Sequence, residues 1–371
     1  MVVYVEEPQT LEEALGSENR KQWHEAWELE VDSLIRNMTW VLTQLPAGRE
    51  PIGCQWLFKR IDDGRFKARL VAKGYTEKEG IDYNKRFAPI LRFNCLRTLL
   101  ALVCEINWEL QGMDVKTAFL QSELDKIVFM DIPEGLYTET STLEAGDPMV
   151  GRLVKSIYGL KQSPRAWYGR INNFFLDHGF QRSEQDHSVY IHRFFKVILL
   201  LYVDDLVITA PSIEDVLWIQ TLLHEEFEMT DLGPLMTFLG MEIRRNRDTG
   251  MLHLSQQRYI QTILEPYGML NYLTVSTPAD THVRLLKSAP DQQTDTANRK
   301  RYQSAVGLLI HAMIGTRPDI AFAVSAVSQQ NSNPGATHWT AVRRIFRYLS
   351  STKRLGLIYG SGLCARYTDA D

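Results

Sequence analysis

Val197-Ile-Leu-Leu-Leu-Tyr-Val203-Asp204-Asp205-Leu206-Val-Ile-Thr-Ala210 sets two apolar runs around a pair of adjacent carboxylates. Val197 to Val203 is too short for a membrane span and the right length for a strand buried on both faces. Leu206 to Ala210 reads the same way. Two buried strands flanking two acidic residues predict a tight hairpin whose tip enters a polar space. Asp is a common turn residue, so a solvated tip gives the same local sequence. The long apolar flanks add rigidity, and rigid paired carboxylates suit a hard divalent cation. Mg2+ is typically held by one or two carboxylates together with substrate phosphates and water. Adjacent strand residues point to opposite faces, so Asp204 and Asp205 are not expected to be equivalent.

The whole chain has 371 residues, 44% of them hydrophobic and 23% charged, a composition that can bury a sizeable core in two or three domains. No stretch reaches the length of an apolar spanning helix, so no membrane partner is expected. Met1-Val-Val-Tyr-Val-Glu-Glu lacks a basic start and apolar centre, which points to an intracellular protein. Cys54, Cys95, Cys104 and Cys364 show no paired spacing, which argues against a zinc site or a disulfide framework. The net charge of -4 is not the footprint of a nucleic-acid binder, although local basic patches can lie within an acidic sum.

Upstream, Thr10-Leu-Glu-Glu13 has capping-box spacing, and Trp23, Ala26, Trp27, Val31 and Leu34 recur at helical intervals. One amphipathic helix packed by two structural tryptophans is expected. Asp62-Asp63-Gly64 separates Ile52–Phe58 from Arg65–Gly74 and signals a hairpin. On its returning strand Lys67, Arg69, Val71 and Lys73 share a face. That row of cations fits either a solvated edge or a clamp on a triphosphate. Asp114, ninety residues before Asp204, stands where an extended segment meets a small-residue turn, and reads locally as a helix cap. Thr138 to Asp147 reads as an exposed loop. In Tyr158-Gly159-Leu-Lys161-Gln162-Ser163-Pro164-Arg165-Ala-Trp167-Tyr168 a sharp turn precedes a helix near Pro164, with aromatics beside Lys161 and Arg165. Ser276 to Asn298 is polar and pattern-free, as a linker would be. Beyond it Trp339, Val342, Phe346 and Leu349 share a helix face, with Arg343, Arg344 and Arg347 expected on the solvated side.

Seven segments in order resemble the copia-type retrotransposon reverse transcriptase family. They are Pro51–Lys59, Lys67–Tyr75, Phe87-Ala-Pro89, Asp114–Leu120, Tyr158–Tyr168, Tyr202-Val-Asp-Asp205 and Gly315–Ile320. The resemblance implies an α+β right-hand polymerase of fingers, palm and thumb with an antiparallel palm sheet, then a connection region and a truncated start of an RNase H-like domain. The expected plan is an N-terminal helical region (1–50), fingers, palm and thumb (51–275), a linker (276–298), a helical connection (299–354) and truncated RNase H-like strands (355–371). The implied chemistry is attack of a primer 3′ hydroxyl on a nucleotide α-phosphate with expulsion of pyrophosphate under two Mg2+ ions, with Mn2+ as substitute.

By the same resemblance, Asp114 and Asp204 are the main metal ligands, Asp205 contributes more loosely, and the Val115 carbonyl helps hold the nucleotide-side metal. Phe119 stands where the family has a bulky residue that excludes a ribose 2′ hydroxyl. Lys67, Arg69 and Lys73 lean toward the triphosphate, and Tyr158, Gly159 and Gln162 toward a nucleotide platform. Tyr202, Leu239, Gly240, Met241, Lys161 and Arg165 are the primer and template candidates. The implied partners are an RNA or DNA template with primer and deoxynucleoside triphosphates, in a cytoplasmic retroelement particle or the nucleus. The family's RNase H motif falls at Asp369, two residues before the end, so template degradation is not expected, and the chain reads as a fragment or decayed copy of a Pol polyprotein. Two other functions share these features: a silent relic that folds and binds nucleic acid, and a two-metal nuclease, which would leave Phe119 without a role.

Overall fold

The computed structural model describes residues 7–61, 64–136, 149–270, 272–280, 282–288 and 294–360. The expected loop at Thr138–Asp147, the turn residues Asp62 and Asp63, Cys364 and the Asp369 segment lie outside them. The chain divides into two compact units that do not follow chain order. One comprises Met1–Leu91, Met113–Leu206 and Glu214–Asp231; the other comprises Arg92–Gly112, Val207–Ile213 and Leu232–Asp371. Among the described residues no helix is long and apolar enough to cross a membrane.

In the first unit the basic hairpin forms as its alternation predicts. Cys54–Arg60 pairs antiparallel with Phe66–Ala72, from Cys54 opposite Ala72 to Arg60 opposite Phe66. Ala68, Leu70 and Ala72 are buried, while Lys67, Arg69 and Val71 alternate with them on the more open face. The buried face rests on helix Arg20–Arg36. Trp23 meets Phe58 and Phe66 edge-on, with ring centroids 5.6 and 4.5 Å away, and Trp27 meets Trp56 at 6.0 Å. Trp23 is buried in the core and Trp27, partly buried, packs against it, as their helical spacing predicts; burying a ring such as Phe58 contributes roughly 1.5–3 kcal/mol. The expected single helix is two, Leu11–Gly16 and Arg20–Arg36, because the chain turns extended at Ser17. The Thr10 side chain caps the first, but the Glu13 carboxylate accepts from Gln9 rather than closing a box on Thr10. Strands Trp40–Gln44, Met149–Leu153 and Phe129–Met130 form a small antiparallel sheet.

The carboxylates lie on a six-stranded sheet. Its order is Met229–Pro234, Glu109–Val115, Asp205–Ala210, Ile198–Tyr202, Val189–His192, Phe180–Arg182. The two strands of the opening stretch are its centre, and Leu199, Leu200, Leu201, Leu206, Val207 and Ile208 are all buried, as apolar runs in a doubly covered sheet should be.

The second unit holds helix Phe93–Glu105 and an antiparallel sheet ordered Thr237–Phe238, Met241–Asn246, Met251–Ser255, Gly356–Tyr359. It also holds a helical cluster of Gln257–Leu264, Thr296–Gly315, Ala321–Ser328 and Ala336–Ser351 around Ile260, Tyr302, Leu309 and Phe346. The described residues of 276–295 are coil, yet tied down, and the last three residues of the expected linker already belong to helix Thr296–Gly315. Arg344 binds Asp280 at 3.2 Å and Thr277 at 3.0 Å, and His338 bonds the Leu286 carbonyl at 2.8 Å. Arg347 donates to the Leu273 carbonyl at 2.6 Å. Arg344 and Arg347, expected on a solvated face, therefore act as anchors. The coil shows no apolar pattern because its carbonyls and hydroxyls are held instead. The Gly315–Ile320 segment serves packing too. Arg317, 1% exposed, bonds Asp319 at 2.6 and 2.9 Å and the Thr352 carbonyl at 3.0 Å, stapling the helix ends.

Candidate active site

Asp114 is the last residue but one of strand Glu109–Val115, and the chain turns away at once, because Thr117 takes a positive φ of 50° and a short 3-10 turn follows over Ala118–Gln121. The Val115 N–H donates to the Asp204 carbonyl at 2.9 Å, and the Lys116 N–H donates to the Glu228 carbonyl at 2.9 Å. These bonds bring together carboxylates ninety residues apart in the chain. Read locally, Asp114 resembles a helix cap; here it stands at a strand end beside the hairpin.

The hairpin itself has a two-residue tip. Ile198–Tyr202 ends at Tyr202 and Asp205–Ala210 begins at Asp205, leaving Val203 and Asp204 to make the turn. Of these two only Val203 has a positive φ, 57°, as at the first central position of a II′ hairpin, where Gly is usual. Asp204 is a turn residue and Asp205 a strand residue, so the two are not equivalent.

Electrostatics bears out the closeness. Burial, then Asp204, raises the Asp114 carboxyl above its usual value, opposed by Lys67, Arg69 and Lys116. Burial, then Asp204 and Asp114, pushes Asp205 up to about 6. Carboxylates in this state repel one another, and a cation among them relieves that repulsion. Oxygen donors suit Mg2+, so the donor set fits the ion that the sequence implies. Among the described residues no three His, Cys, Asp or Glu side chains already stand at metal-ligand spacing. Mg2+ does not need such a cage when substrate phosphates and water complete its shell.

A stability prediction follows from Asp205. Its carboxyl ionises higher in the folded chain than in the unfolded one, so the contribution of Asp205 to stability is fullest below pH 4 and falls as pH rises from about 4 to about 6. Discounted for partial exposure, the cost at pH 7 is about 1 kcal/mol. Asp205→Asn is therefore expected to raise the melting temperature of the metal-free chain at pH 7 and to leave it unchanged at pH 4, as calorimetry at the two pH values would show.

Two of the three row cations face these carboxylates. Lys67 is pulled below its usual value by burial and by Arg69, and pushed back by Asp114, Glu30 and Asp204. Arg69 lies over the Tyr158 ring, 4.3 Å from its centroid, and Tyr158 meets Phe119 edge-on at 4.7 Å. Phe119 is buried to 8% exposure and Tyr158 is pushed up to about 12 by burial. Lys73 lies past the strand end, its stem against Gly53, and does not figure among the charges acting on Asp114 or Asp205.

Gly159 joins platform and hairpin. Its φ is 93°, and a Cβ there would sit 2.1 Å from the Ala72 carbonyl oxygen. Beside it the Ala72 N–H donates to the Tyr158 carbonyl at 2.8 Å. Gln162 is buried and donates to the Asp82 carbonyl at 3.3 Å. Lys161 gives its backbone N–H to the Glu77 carboxylate at 2.8 Å and its ammonium to the Glu77 carbonyl at 3.0 Å, while Arg165 is exposed. Tyr202 is half-buried at the end of its strand. In the second unit Leu239 and Gly240 form a hairpin tip with φ of 51° and 74°, and Met241 is buried.

Three residues at the site are not among the sequence candidates, although Lys116 and Trp167 fall inside segments that carry the resemblance. Glu30, on helix Arg20–Arg36, accepts from the Leu70 N–H at 3.3 Å between Arg69 and Val71, and burial raises its carboxyl above the usual value. Lys116 pairs with Glu228 at 3.3 Å beside Asp114. Trp167 donates its indole N–H to the Val203 carbonyl at 2.6 Å. The sequence marks Trp167 as an aromatic near Lys161 and Arg165 but cannot show that its nitrogen reaches a hairpin tip.

Residues 37–281 match the family described as reverse transcriptase (RNA-dependent DNA polymerase). The chain is 40% identical to a retrovirus-related Pol polyprotein from transposon TNT 1-94 of Nicotiana tabacum, over 98% of this chain and 28% of that one. It is 37% identical to the Pol polyprotein from transposon RE1 of Arabidopsis thaliana, over 98% of this chain and 25% of that one. A putative transposon Ty5-1 protein of Saccharomyces cerevisiae is 34% identical over 67% of this chain and 79% of its own length. The chain thus spans about a quarter of the length of the two Pol polyproteins. A match over most of the chain places this protein in the reverse transcriptase family, among the copia-type retrotransposon Pol sequences.

Proposed function

We propose that the chain joins deoxynucleoside triphosphates to a primer 3′ hydroxyl on an RNA or DNA template, releasing pyrophosphate. The observation that carries this is the meeting of Asp114 with the Val203–Asp205 tip, within electrostatic reach of Lys67 and Arg69. Asp114 and Asp204 would hold two Mg2+ ions, with Asp205 and the Val115 carbonyl as weaker donors. When bound, such ions stabilise the attacking and leaving oxygens of an in-line displacement.

The chain's own residues supply the rest. Lys67 and Arg69 offer fixed positive charge to a triphosphate, and the cation over the Tyr158 ring keeps Arg69 aimed along its strand face. Phe119, wedged against Tyr158, presents a rigid edge to the incoming sugar. Lys73 is a further triphosphate candidate, Gly159 and Gln162 belong to the same platform, and Tyr202, Lys161, Arg165 and the Leu239-Gly240-Met241 tip belong to the path of primer and template. In this scheme the basic hairpin belongs to the fingers and the six-stranded sheet to the palm. The thumb, the connection and the start of an RNase H-like domain follow in the order read from the sequence, in a retroelement particle or the nucleus.

Phe119→Ala is expected to leave deoxynucleotide incorporation within a few-fold and to raise ribonucleotide incorporation roughly ten- to a hundredfold, since a shape filter is lost. Single-nucleotide extension of a DNA primer on an RNA template, with each nucleotide in turn, measures both. Unchanged discrimination would remove Phe119 from the sugar site.

A further inference from the structure

Trp167 is 1% exposed in helix Ser163–Asp177, and its ring is fixed edge-on to Phe227 at 5.4 Å. Phe227 in turn packs on Phe174 at 5.1 Å and lies under the Arg170 guanidinium at 5.5 Å, which pairs with Glu226 at 2.8 Å. The indole N–H so aimed meets the Val203 carbonyl at 2.6 Å. Val203 needs such a hold. A positive φ is costly for a β-branched residue, and among the other described β-branched residues only Thr117 has one. Released, Val203 would relax toward negative φ, and Asp204, next in the chain, would turn with it.

We infer that Trp167 is a positioning residue, whose indole N–H clamps the strained Val203 carbonyl and so fixes the direction in which Asp204 presents its carboxylate. This rests on the proposal that Asp204 holds a divalent cation. Nothing in the clamp touches substrate. Trp167 acts through the backbone of the residue before Asp204.

The chain's affinity for Mn2+, followed by electron paramagnetic resonance of the free ion, tests the clamp without catalysis. Trp167→Phe keeps most of the ring packing and removes the N–H. It is expected to weaken Mn2+ binding about five- to tenfold, the worth of one short hydrogen bond. Adding Val203→Gly, which accepts a positive φ without a clamp, is expected to bring affinity back to within about twofold of wild type. If Trp167→Phe does not fold, a tryptophan analogue with sulphur in place of the ring N–H keeps the packing and is expected to show the same loss. Unchanged affinity in the folded variants, or no recovery in the double variant, overturns the clamp and leaves the polymerase proposal standing. A wild-type chain that binds Mn2+ but extends no primer overturns the polymerase proposal instead, and the clamp is still decided by the binding series. A wild-type chain that binds no Mn2+ removes the carboxylate site and the clamp together.

Discussion

Asp204→Asn is expected to lower primer extension about a thousandfold, with KM for the nucleotide changed much less. Asn keeps the size of Asp and the backbone carbonyl that accepts from Val115, so the tip and the sheet persist. What goes is one negative charge at the point where Asp114, Asp204 and Asp205 act on one another. Losing a main ligand of a two-metal site removes several kcal/mol of transition-state stabilisation, and each 1.36 kcal/mol is about a factor of ten in rate. The same change relieves like-charge repulsion in the metal-free fold, so the variant is expected to melt higher than wild type as its activity falls. Asp114→Asn should behave alike, since its carboxyl is raised by burial and by Asp204. Single-turnover kinetics with thermal melting on the same samples separates lost chemistry from lost fold.

Gly159→Ala is expected to be the most destabilising single-methyl change in the site. A Cβ at Gly159 would lie 2.1 Å from the Ala72 carbonyl oxygen and 2.9 Å from the Ala72 nitrogen, both backbone atoms of the cation strand. Neither can swing away, because the Ala72 N–H is bonded to the Tyr158 carbonyl and its strand is paired across the hairpin. The positive φ of 93° adds strain. Together these predict a loss of at least about 3 kcal/mol in urea unfolding. Gly169→Ala, in helix Ser163–Asp177 with nothing within 4 Å of its built Cβ, serves as the control. It is expected to stabilise by about 0.5–1 kcal/mol. Equal effects at the two positions would show that Gly159 does not join platform to hairpin.

The parts of this site legible in the sequence are those fixed by period and turn chemistry. Alternation in Arg65–Gly74 and a Gly after two Asp gave the basic hairpin, and two apolar runs around Asp204 and Asp205 gave the central strands. The pleat predicts that the paired carboxylates differ, but here they differ because Asp204 stands in the turn and Asp205 on the strand, while the order of motifs pointed to the family. Other features depend on where a chain goes in space. Val203 looks like one more strand residue, yet it stands in the turn with a positive φ, and its carbonyl accepts from Trp167 in another element. Glu30 looks like one of several acids on a solvated face, and only docking of its helix places it against Leu70. The described coil between 276 and 295 has no apolar period, its backbone and polar side chains being held by Arg344 and His338. Lys73 shares the strand alternation on paper, but the strand stops at Ala72.

Asp114 and the Val203–Asp205 tip are proposed to form a working polymerase centre. The measurement that tests it most directly is extension of a DNA primer on an RNA template with Mg2+ and deoxynucleotides, comparing the wild-type chain with Asp204→Asn. Extension by the wild type that falls about a thousandfold in a folded variant is the predicted result. Comparable extension by both, or none by a folded wild-type chain, would contradict it.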